Sequence, residues 1–238
     1  CYEMICRIRI ACPDAVIVVG GAHIDGDYRI METMNVRYGF RGECEGVFPQ
    51  FCEAILEGRK PRDLLGLVLN ENGVVTASPP AMVEDLDSLP MPAYDLLPLD
   101  KYYSPSTNLK TISYITSRGC PYNCAYCSKL QQKPYRGISP SVVVDHVEVL
   151  VRKYGMQWIE FVDEIFTLKR DRVLALCREI IGRGVRFEWG VGTRADRLDE
   201  ELVQAMRAAG CRKISFGIES GVDRVRRAFH LPLLPRVV

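Results

Sequence analysis

Residues Cys120–Cys127 read CPYNCAYC, and this short loop decides how the rest of the chain is interpreted. Its cysteines, Cys120, Cys124 and Cys127, have the spacing C-x3-C-x2-C, which is tight enough to direct three thiolates at one inorganic centre. Thiolates are the usual ligands of iron–sulfur clusters, and a cluster ligated entirely by protein needs four of them. Three ligands would leave one iron of a four-iron cluster open to a further ligand, with the ring of Tyr126 beside it.

Structural zinc is the main alternative for these cysteines, because C-x-x-C pairs often bind zinc. Zinc sites usually combine two such pairs or add histidines, whereas Cys177 and Cys211 stand alone and His146 lies in a helix-like stretch. Disulfide bonds would require an oxidising compartment and are typical of small secreted domains. The spacing therefore favours an iron–sulfur cluster and leaves zinc as the alternative.

The run Arg118–Cys127, RGCPYNCAYC, resembles the signature loop of the radical S-adenosylmethionine (radical SAM) superfamily. The resemblance implies that the three cysteines hold a [4Fe–4S] cluster, whose open iron chelates S-adenosylmethionine while Tyr126 packs on its adenine. It further implies an electron donor such as flavodoxin or ferredoxin, whose electron cleaves the sulfonium and yields a 5′-deoxyadenosyl radical. The radical would act on a small-molecule substrate.

Composition and charge exclude several other classes of protein. The 238 residues carry a net charge of +1 and are 47% hydrophobic, which is ordinary for one large or two small globular domains. The charge balance gives no reason to expect nucleic acid or an anionic membrane as a partner. No apolar run approaches the roughly 20 residues needed to cross a bilayer. Because the ten cysteines are scattered and no secretory leader is recognisable, we expect a reducing compartment and a cytoplasmic protein.

The first 78 residues alternate strand-like and helix-like stretches. An apolar run, Ala15–Val19, ends at a pair of glycines, and this is typical of a buried parallel strand followed by a tight turn. A second strand is predicted over Val36–Phe40 and a helix over Val47–Leu56. Two further strands flank an Asn-Gly pair and predict a hairpin. The pattern indicates an α/β segment from a doubly wound sheet.

The same segment resembles the later half of the cobalamin-binding domain that precedes many radical SAM domains. The resemblance is carried by Val18–His23 (VVGGAH) and Gly42–Gly46 (GECEG). It implies that the loops bind the corrinoid, with Gly20 and Gly21 allowing the backbone to approach closely. Cys44 replaces the family's middle glycine, which we expect to weaken any contact that requires a positive φ there. The alternative is a small α/β remnant that binds nothing.

Both ends of the chain differ from the family pattern. Some members ligate cobalt with a histidine from a part of the domain that would precede Cys1, and His23 is not at that position, so we expect it in a loop or in the core. The resemblance fades after Gly221, and only four of the usual six strand–helix units are recognisable. We therefore expect a chain truncated at both ends, in which much of the substrate-binding region is missing.

Six prolines fall between residues 79 and 112, which excludes a long helix there. Leucines are interspersed among them, and they are too apolar for a free tether: Leu86, Leu89, Leu96, Leu97 and Leu99. We expect an extended strap packed across the following domain. The stretch also resembles the connector between the cobalamin-binding and radical SAM domains.

Residues 113–238 alternate strands with helices and predict part of a β/α barrel. Strands are expected near residues 112–116, 158–162, 187–192 and 213–218, and helices near 139–154, 169–181 and 199–209. Ser139 is predicted as the N-cap of the first of these helices, followed by Pro140. In β/α barrels the active site lies on the loops that follow the strand C-termini, and the cysteine loop follows the first strand.

An acidic pair, Asp163 and Glu164, follows the second of these strands. In the superfamily this position contacts the amino group of S-adenosylmethionine, so the resemblance implies that one of the two carboxylates accepts from that ammonium. The alternative for Asp163 is an N-cap for the helix over Lys169–Ile181.

The later strand ends carry two more candidate residues. Arg194 has a guanidinium suited to the ligand's carboxylate, and the alternative is a salt bridge with Asp196 or Asp199. Glu219 lies in the run GIESG, which resembles the cobalamin-linked branch and implies contact with the ribose or amino end of S-adenosylmethionine. Ser220 beside it has the alternative role of a helix N-cap.

These observations predict three parts: a partial cobalamin-binding, Rossmann-like domain over 1–78, a proline-rich connector over 79–112, and a partial radical SAM β/α barrel over 113–238. The resemblance implies a radical SAM enzyme, either a cobalamin-linked methyltransferase or a related radical enzyme. The alternative is a truncated, non-catalytic relative that binds an iron–sulfur cluster or zinc.

Overall fold

The computed structural model describes residues 2–125, 127 and 134–230. The chain divides into two compact units, Cys1–Glu84 and Asp85–Val238. Both units combine helices with a β-sheet, so the predicted α/β class is confirmed. Among the described helices, none combines the length and apolar character that crossing a bilayer requires.

The first unit is a four-stranded sheet with helices between its early strands. In chain order its elements are α1 (Tyr2–Ala11), β1 (Val18–Val19), α2 (Ala22–Gly26), α3 (Ile30–Met34), β2 (Tyr38–Phe40), α4 (Phe48–Leu56), β3 (Leu67–Glu71) and β4 (Val74–Ala77). The strand order is β1-β2-β3-β4. The pair β1–β2 is parallel, as predicted, whereas β3 and β4 are antiparallel to their neighbours.

The predicted hairpin is present, and its turn explains the Asn-Gly signal. Asn72 and Gly73 have φ values of 56° and 84°, as a tight turn between twisted strands requires. The side chain of Asn70 accepts a hydrogen bond from the Gly73 amide at 3.1 Å, which supports the turn from the strand side. Glycine and asparagine adopt positive φ at low cost, so the sequence determines this turn locally.

Aromatic residues form the core beneath β2 and α4. Phe51 packs edge-on against both Tyr38 and Phe40, with ring centroids 5.1 and 5.3 Å apart. All three are buried, together with Leu67 from β3. Burying one such side chain contributes about 1.5–3 kcal/mol, so this small cluster is a main source of stability for the unit.

The second unit is built on a parallel sheet, and each strand of that sheet is followed along the chain by a helix. Its elements are β5 (Thr111–Tyr114), β6 (Ser117–Arg118), β7 (Arg136–Gly137), α5 (Pro140–Arg152), β8 (Trp158–Phe161), α6 (Arg170–Gly182), β9 (Glu188–Thr193), α7 (Glu200–Ala208), β10 (Cys211–Phe216) and α8 (Asp223–Ala228). The main sheet has the order β5-β8-β9-β10 with every pair parallel. This is the arrangement expected of successive strands in a β/α barrel, and the four predicted strands are confirmed.

The helices of this unit bury their apolar faces against the sheet. In α5 the predicted contacts Val143, Val147 and Leu150 are fully buried. Trp189 of β9 lies at the centre, where its ring packs against Phe161 at 5.4 Å. Its indole N–H donates to the carbonyl oxygen of Ala209 at 2.9 Å, so the buried polar atom is satisfied.

The predicted connector is divided between the two units. Residues 79–84 belong to the first, where Ala81 pairs with Gly42. In the second, Leu86, Tyr94 and Leu99 are buried on short 3-10 turns and join its packing. Two of the leucines predicted to pack do not, since Leu96 and Leu97 are 80% and 43% exposed.

Ser139 precedes α5 as predicted, but its hydroxyl does not cap the helix. The hydroxyl instead donates to the carboxylate of Asp87, which also accepts from the Ser139 amide at 2.7 Å. A carboxylate that accepts two hydrogen bonds is a stronger partner than the exposed amides of a helix start. This contact ties the connector to the beginning of α5.

Candidate functional site

The cysteine loop follows β5 and β6, at the edge of the sheet where the parallel strands end. Cys120 and Cys124 are half-buried and Cys127 is exposed, and all three are free thiols. The Cys127 amide donates to the carbonyl oxygen of Cys124 at 3.1 Å, which closes the C-x-x-C part into a turn. Tyr126, the predicted adenine contact, lies outside the described residues.

The thiols of Cys124 and Cys127 lie near enough to Cys120 to affect it electrostatically. Burial raises the pKa of the Cys120 thiol, and the nearby thiols of Cys124 and Cys127 and the carboxylate of Glu164 raise it further. A backbone hydrogen bond at Tyr122 opposes part of this effect. Because several groups that become anionic are gathered here, the site would favour a bound cationic centre, which stabilises thiolates.

The donors that this loop offers to a metal centre are its three thiols. Within the described residues, no three Cys, His, Asp or Glu side chains converge where one metal ion could be held. A cuboidal cluster makes a different demand, because each thiolate binds a separate iron. The residues considered for zinc have other partners: Cys177 and Cys211 are buried in the core, and His146 lies 2.6 Å from the Tyr114 hydroxyl.

Glu164 is the acidic residue that faces the cysteine loop. It follows β8 and is half-buried, and burial raises the pKa of its carboxyl group. Hydrogen bonds from its own amide and from the amide of Gly119 oppose this shift, as does the charge of Arg118. Gly119 immediately precedes Cys120, so the carboxylate lies against the start of the loop.

Asp163 occupies a different environment from its neighbour. Its side chain is buried, and its oxygens accept hydrogen bonds from the backbone and hydroxyl of Thr116 and the hydroxyl of Ser117. The alternative role as a helix N-cap is wrong, because α6 begins at Arg170 with Lys169 as its N-cap. Asp163 thus lies beneath the loop and contacts the residues that lead into it.

Arg194 forms the salt bridge that the sequence offered as the alternative. Its guanidinium donates to both carboxylate oxygens of Asp196, at 3.0 and 3.1 Å. Asp199, the other candidate, instead caps α7 and pairs with Arg170. The same guanidinium of Arg194 lies 3.8 Å from the ring centre of Tyr122, inside the cysteine loop.

Tyr122 is a residue that the sequence did not single out. Its hydroxyl accepts a hydrogen bond from Arg197 at 2.7 Å while its ring lies under Arg194. Two arginines from the end of β9 therefore hold one aromatic ring of the loop. The sequence does contain a signal for this contact, namely an aromatic residue inside the loop and two arginines after β9. That signal alone does not tell whether Tyr122 or Tyr126 is the residue they hold.

Glu219 lies just beyond β10 in a left-handed backbone conformation, with φ of 63°, and is exposed. The buried guanidinium of Arg226 donates to the carbonyl oxygens of Ile218 and Ser220 and so fixes this turn from α8. The alternative for Ser220 is wrong, because the N-cap of α8 is Val222. The turn places Glu219 at the same strand-end edge as the other candidates.

The segment after β10 also contacts the cysteine loop. The Ala125 amide donates to the carbonyl oxygen of Phe229 at 3.2 Å, and the His230 ring nitrogen lies 3.3 Å from the Asn123 carbonyl oxygen. The loop is therefore contacted from the ends of β8 and β9 and from the segment after α8. Residues distant in sequence form one site because the strands are parallel and end together.

In the first unit, the predicted glycines lie between β1 and α2. Gly21 has φ of 88° and nothing within 4 Å of where a side chain would begin, so the turn is open. Among the described residues of the second loop, positive φ falls on Gly42 and not on Cys44. The Cys44 backbone thus has a conformation open to any residue, and the weakening of a corrinoid contact at this position stays a prediction. His23 is exposed on α2, rather than in the core.

Known proteins resemble both the cysteine-loop region and most of the remaining chain. The family model of the radical SAM superfamily matches residues 114–232. An uncharacterized methyltransferase of Pyrococcus horikoshii is 35% identical over 214 residues, covering 88% of this chain and 46% of the relative. An anaerobic magnesium-protoporphyrin IX monomethyl ester cyclase of Rubrivivax gelatinosus is 32% identical over 225 residues, covering 89% of this chain and 40% of the relative.

Solved structures share the fold of nearly the whole chain. The radical S-adenosylmethionine methyltransferase TsrM of Kitasatospora setae, with tryptophan and a SAM analogue bound, aligns with a TM-score of 0.82 and 24% identity. The alignment covers 97% of this chain and 46% of TsrM. A second structure of TsrM, with cobalamin and a [4Fe–4S] cluster bound, aligns with a TM-score of 0.77. The chain spans less than half the length of these proteins.

Proposed function

The chain belongs to the radical SAM superfamily, and on that premise we propose that Cys120, Cys124 and Cys127 bind a [4Fe–4S] cluster used to cleave S-adenosylmethionine. The observation that carries the proposal is the placement of three free thiols in one loop at the ends of parallel strands. When bound, the cluster would supply one electron to the sulfonium of S-adenosylmethionine. The chain's own residues would bind and orient that ligand.

Glu164 is the best-supported contact for the ammonium group of the ligand. Its carboxylate is half-buried beside Cys120 and accepts hydrogen bonds from the backbone amides of Glu164 and Gly119. A carboxylate in this position would accept a charge-assisted hydrogen bond from an ammonium. Glu219 remains a second proposed contact, at the end of β10.

Arg194 suits a supporting role better than direct recognition of the ligand's carboxylate. Its Nε and Nη2 atoms both donate to the carboxylate of Asp196, and the face of its guanidinium lies on the ring of Tyr122. Breaking that bidentate pair would cost a charge-assisted interaction. We therefore propose that Arg194 orients the cysteine loop through Tyr122.

The first unit supports the further proposal of a cobalamin-linked enzyme. The open position at Gly21, next to Gly20, would give a ligand access to the backbone, and the fold is shared with cobalamin-containing TsrM. Since relatives include methyltransferases and a cyclase, we propose methyl transfer or a related radical reaction on a small molecule. A cytoplasmic location and an electron donor such as flavodoxin or ferredoxin belong to the same proposal.

Anaerobic reconstitution with iron and sulfide tests the central claim. We expect about four irons per chain and release of 5′-deoxyadenosine when S-adenosylmethionine and a reductant are added. Serine substitution at Cys120, Cys124 or Cys127 should abolish both, because each removes one cluster ligand. Cys12→Ser is the matched control, since Cys12 is an exposed cysteine of the first unit.

Three results would contradict the proposal. Colourless protein that binds zinc after reconstitution would favour the zinc alternative. A cluster of full iron content that never cleaves S-adenosylmethionine would favour a non-catalytic relative. Cleavage that persists in all three serine variants would move the cluster away from this loop.

A further inference from the structure

The cysteine loop begins and ends at a short neck of paired backbone. Ser117 pairs with Gly137 and Arg118 with Arg136 in the antiparallel ladder of β6 and β7. One step further out, the Ile138 amide donates to the carbonyl oxygen of Thr116 at 2.9 Å. The loop that carries the cysteines therefore leaves and re-enters the unit through residues 116–118 and 136–138.

Asp163 holds the first side of this neck. Its carboxylate accepts from the Thr116 amide and hydroxyl, both at 2.6 Å, and from the Ser117 hydroxyl at 2.5 Å. The residue is 5% exposed, so these bonds form away from water. Hydrogen bonds to a buried carboxylate are stronger than bonds between neutral groups, and losing one leaves a polar group unsatisfied.

Arg172 of α6 holds both sides of the neck at once. Its guanidinium donates to the Thr116 carbonyl oxygen at 2.7 Å and to the Ile138 carbonyl oxygen at 2.7 and 2.9 Å. Gly137 leaves room for this approach, because a side chain there would begin 2.8 Å from the Arg172 guanidinium nitrogen Nε. A residue with a side chain would displace the arginine.

Charge supports this arrangement. Burial raises the pKa of the Asp163 carboxyl group, while hydrogen bonds from Ser117 and Thr116 and the charge of Arg172 oppose the rise. Asp163 and Arg172 also meet at one atom, the Thr116 hydroxyl, which lies 3.3 Å from Arg172. Asp163 is buried and Arg172 is partly buried, and because they share a partner, removing Arg172 leaves the Asp163 carboxylate poorly compensated.

We propose that Asp163 and Arg172 are positioning residues that fix the neck, so that Cys120 is held in place before any metal centre binds. The inference rests on the proposed function, which makes this loop the one that binds the cluster. It gives the two acidic residues after β8 different roles. Asp163 orients the loop from below, and Glu164 remains available to a ligand.

Amide hydrogen exchange of the metal-free protein tests the proposal. Asp163→Asn keeps the shape of the side chain but removes its charge. We expect exchange at the neck to rise about tenfold to a hundredfold, because a bond to a charged group is lost, with little change in β9. Asp171→Asn is the matched control, since the Asp171 side chain lies on α6 and is 98% exposed. In this variant the amides of the neck should exchange as fast as in the unsubstituted protein.

Ser117→Ala provides a second, milder variant in case Asp163→Asn does not fold. It removes one donor to Asp163 and should raise neck exchange about threefold to tenfold. Exchange that rises equally throughout the second unit would indicate a merely structural role and overturn the proposal. Neck exchange unchanged in the folded variants would overturn it as well.

Reconstitution of the same variants separates this inference from the proposed function. If the neck opens, the reconstituted Asp163→Asn protein should show an altered electron paramagnetic resonance spectrum of its reduced cluster, while Asp171→Asn should not. An unchanged spectrum beside a faster-exchanging neck would show that the neck does not position Cys120. Failure of the unsubstituted protein to form a cluster would contradict the proposed function alone, because the exchange comparison needs no metal.

Discussion

The glycine loops of the first unit and the cysteine loop of the second unit are held in different ways. Gly21 and Gly42 owe their positions to backbone conformation, with φ of 88° and 80°, and to contacts made within a few elements of the small sheet. The cysteine loop is held by side chains that come from distant parts of the chain, such as Asp163, Arg197 and Arg172. In the first unit the shape depends mainly on backbone conformation and close backbone contacts, such as that between Gly42 and Ala81, whereas in the second it depends on side chains from several elements.

Side-chain contacts also support the glycine loops. The Asp25 carboxylate of α2 accepts from the Gly42 amide at 2.6 Å, which joins α2 to the loop after β2. The Glu43 carboxylate accepts from the Val83 amide at 3.0 Å, which joins the same loop to the segment after β4. Backbone conformation is still the main constraint on the glycine loops, and side-chain contacts are the main constraint on the cysteine loop. Substitutions in each loop test this difference.

The largest effect is expected for Gly42→Ala. A methyl group there would begin 2.2 Å from the Ala81 carbonyl oxygen, and the positive φ is strained for alanine. Strain costs about 1–2 kcal/mol and overpacking about 1–3 kcal/mol, so the free energy of unfolding should fall by about 2–5 kcal/mol. Urea denaturation of the intact chain measures this.

Gly21→Ala is the matched control for that substitution. Its φ is similarly positive, but nothing lies within 4 Å of the added methyl group. Only the backbone strain should remain, about 1–3 kcal/mol, because φ of 88° with ψ of -173° is a region that essentially only glycine adopts. Equal losses in the two variants would contradict the view that close backbone contact fixes the Gly42 loop.

The sequence predicted what depends on local patterns. The cysteine spacing, the hairpin at Asn72 and Gly73, and the succession of parallel strands required only neighbouring residues or hydrophobic periodicity. The family prediction followed from the cysteine loop and is confirmed. The strand ends were also predictable as a shared edge, because parallel strands finish on the same side of a sheet.

Contacts between distant side chains could not be predicted in the same way. Asp87 and Ser139 are 52 residues apart, and nothing in either neighbourhood indicates that the hydroxyl would leave its helix cap. The division of roles between Asp163 and Glu164 could not be predicted either. Both lie after the end of β8 at Phe161, where the backbone has no strand period, so packing against Thr116 and Ser117 decides which side chain is buried.

A smaller effect is expected for Tyr122→Leu in the cysteine loop. It removes the ring beneath Arg194 and the hydroxyl that accepts from Arg197 at 2.7 Å. The lost interactions amount to about 1–2 kcal/mol, equivalent to a roughly 5- to 30-fold increase in loop opening. The rate at which iodoacetamide alkylates Cys124 in the metal-free protein measures the opening.

Tyr122→Phe divides this effect between its two causes. It keeps the ring under Arg194 and removes only the hydroxyl, so the alkylation rate should fall between those of the unsubstituted protein and Tyr122→Leu. Cys12, exposed in the first unit, serves as an internal reference whose rate should not change. A uniform increase at both cysteines would mean that Tyr122 supports the whole chain rather than the loop.

The smallest effect concerns the pH dependence contributed by Asp196. Its hydrogen bonds with Arg194 hold the pKa of the Asp196 carboxyl below its ordinary value, although partial burial opposes this, and Arg197 adds a further positive charge. A group whose pKa is lower in the folded state stabilises the fold above its unfolded pKa of about 3.9. That contribution is lost as the pH falls through the folded value. Because the pair is partly exposed, we expect only about 0.2–1 kcal/mol.

Thermal unfolding of Asp196→Asn and the unsubstituted protein between pH 7 and pH 3 checks the sign. The unsubstituted protein should be slightly more stable at about pH 5–7, and its advantage should shrink below about pH 4 as Asp196 becomes protonated. Asp171→Asn supplies the control, since that carboxylate is fully exposed. An advantage that grows towards pH 3 would contradict the pairing. Arg194 would then lie on Tyr122 without help from Asp196, and the cysteine loop would depend on one fewer distant side chain than the comparison requires.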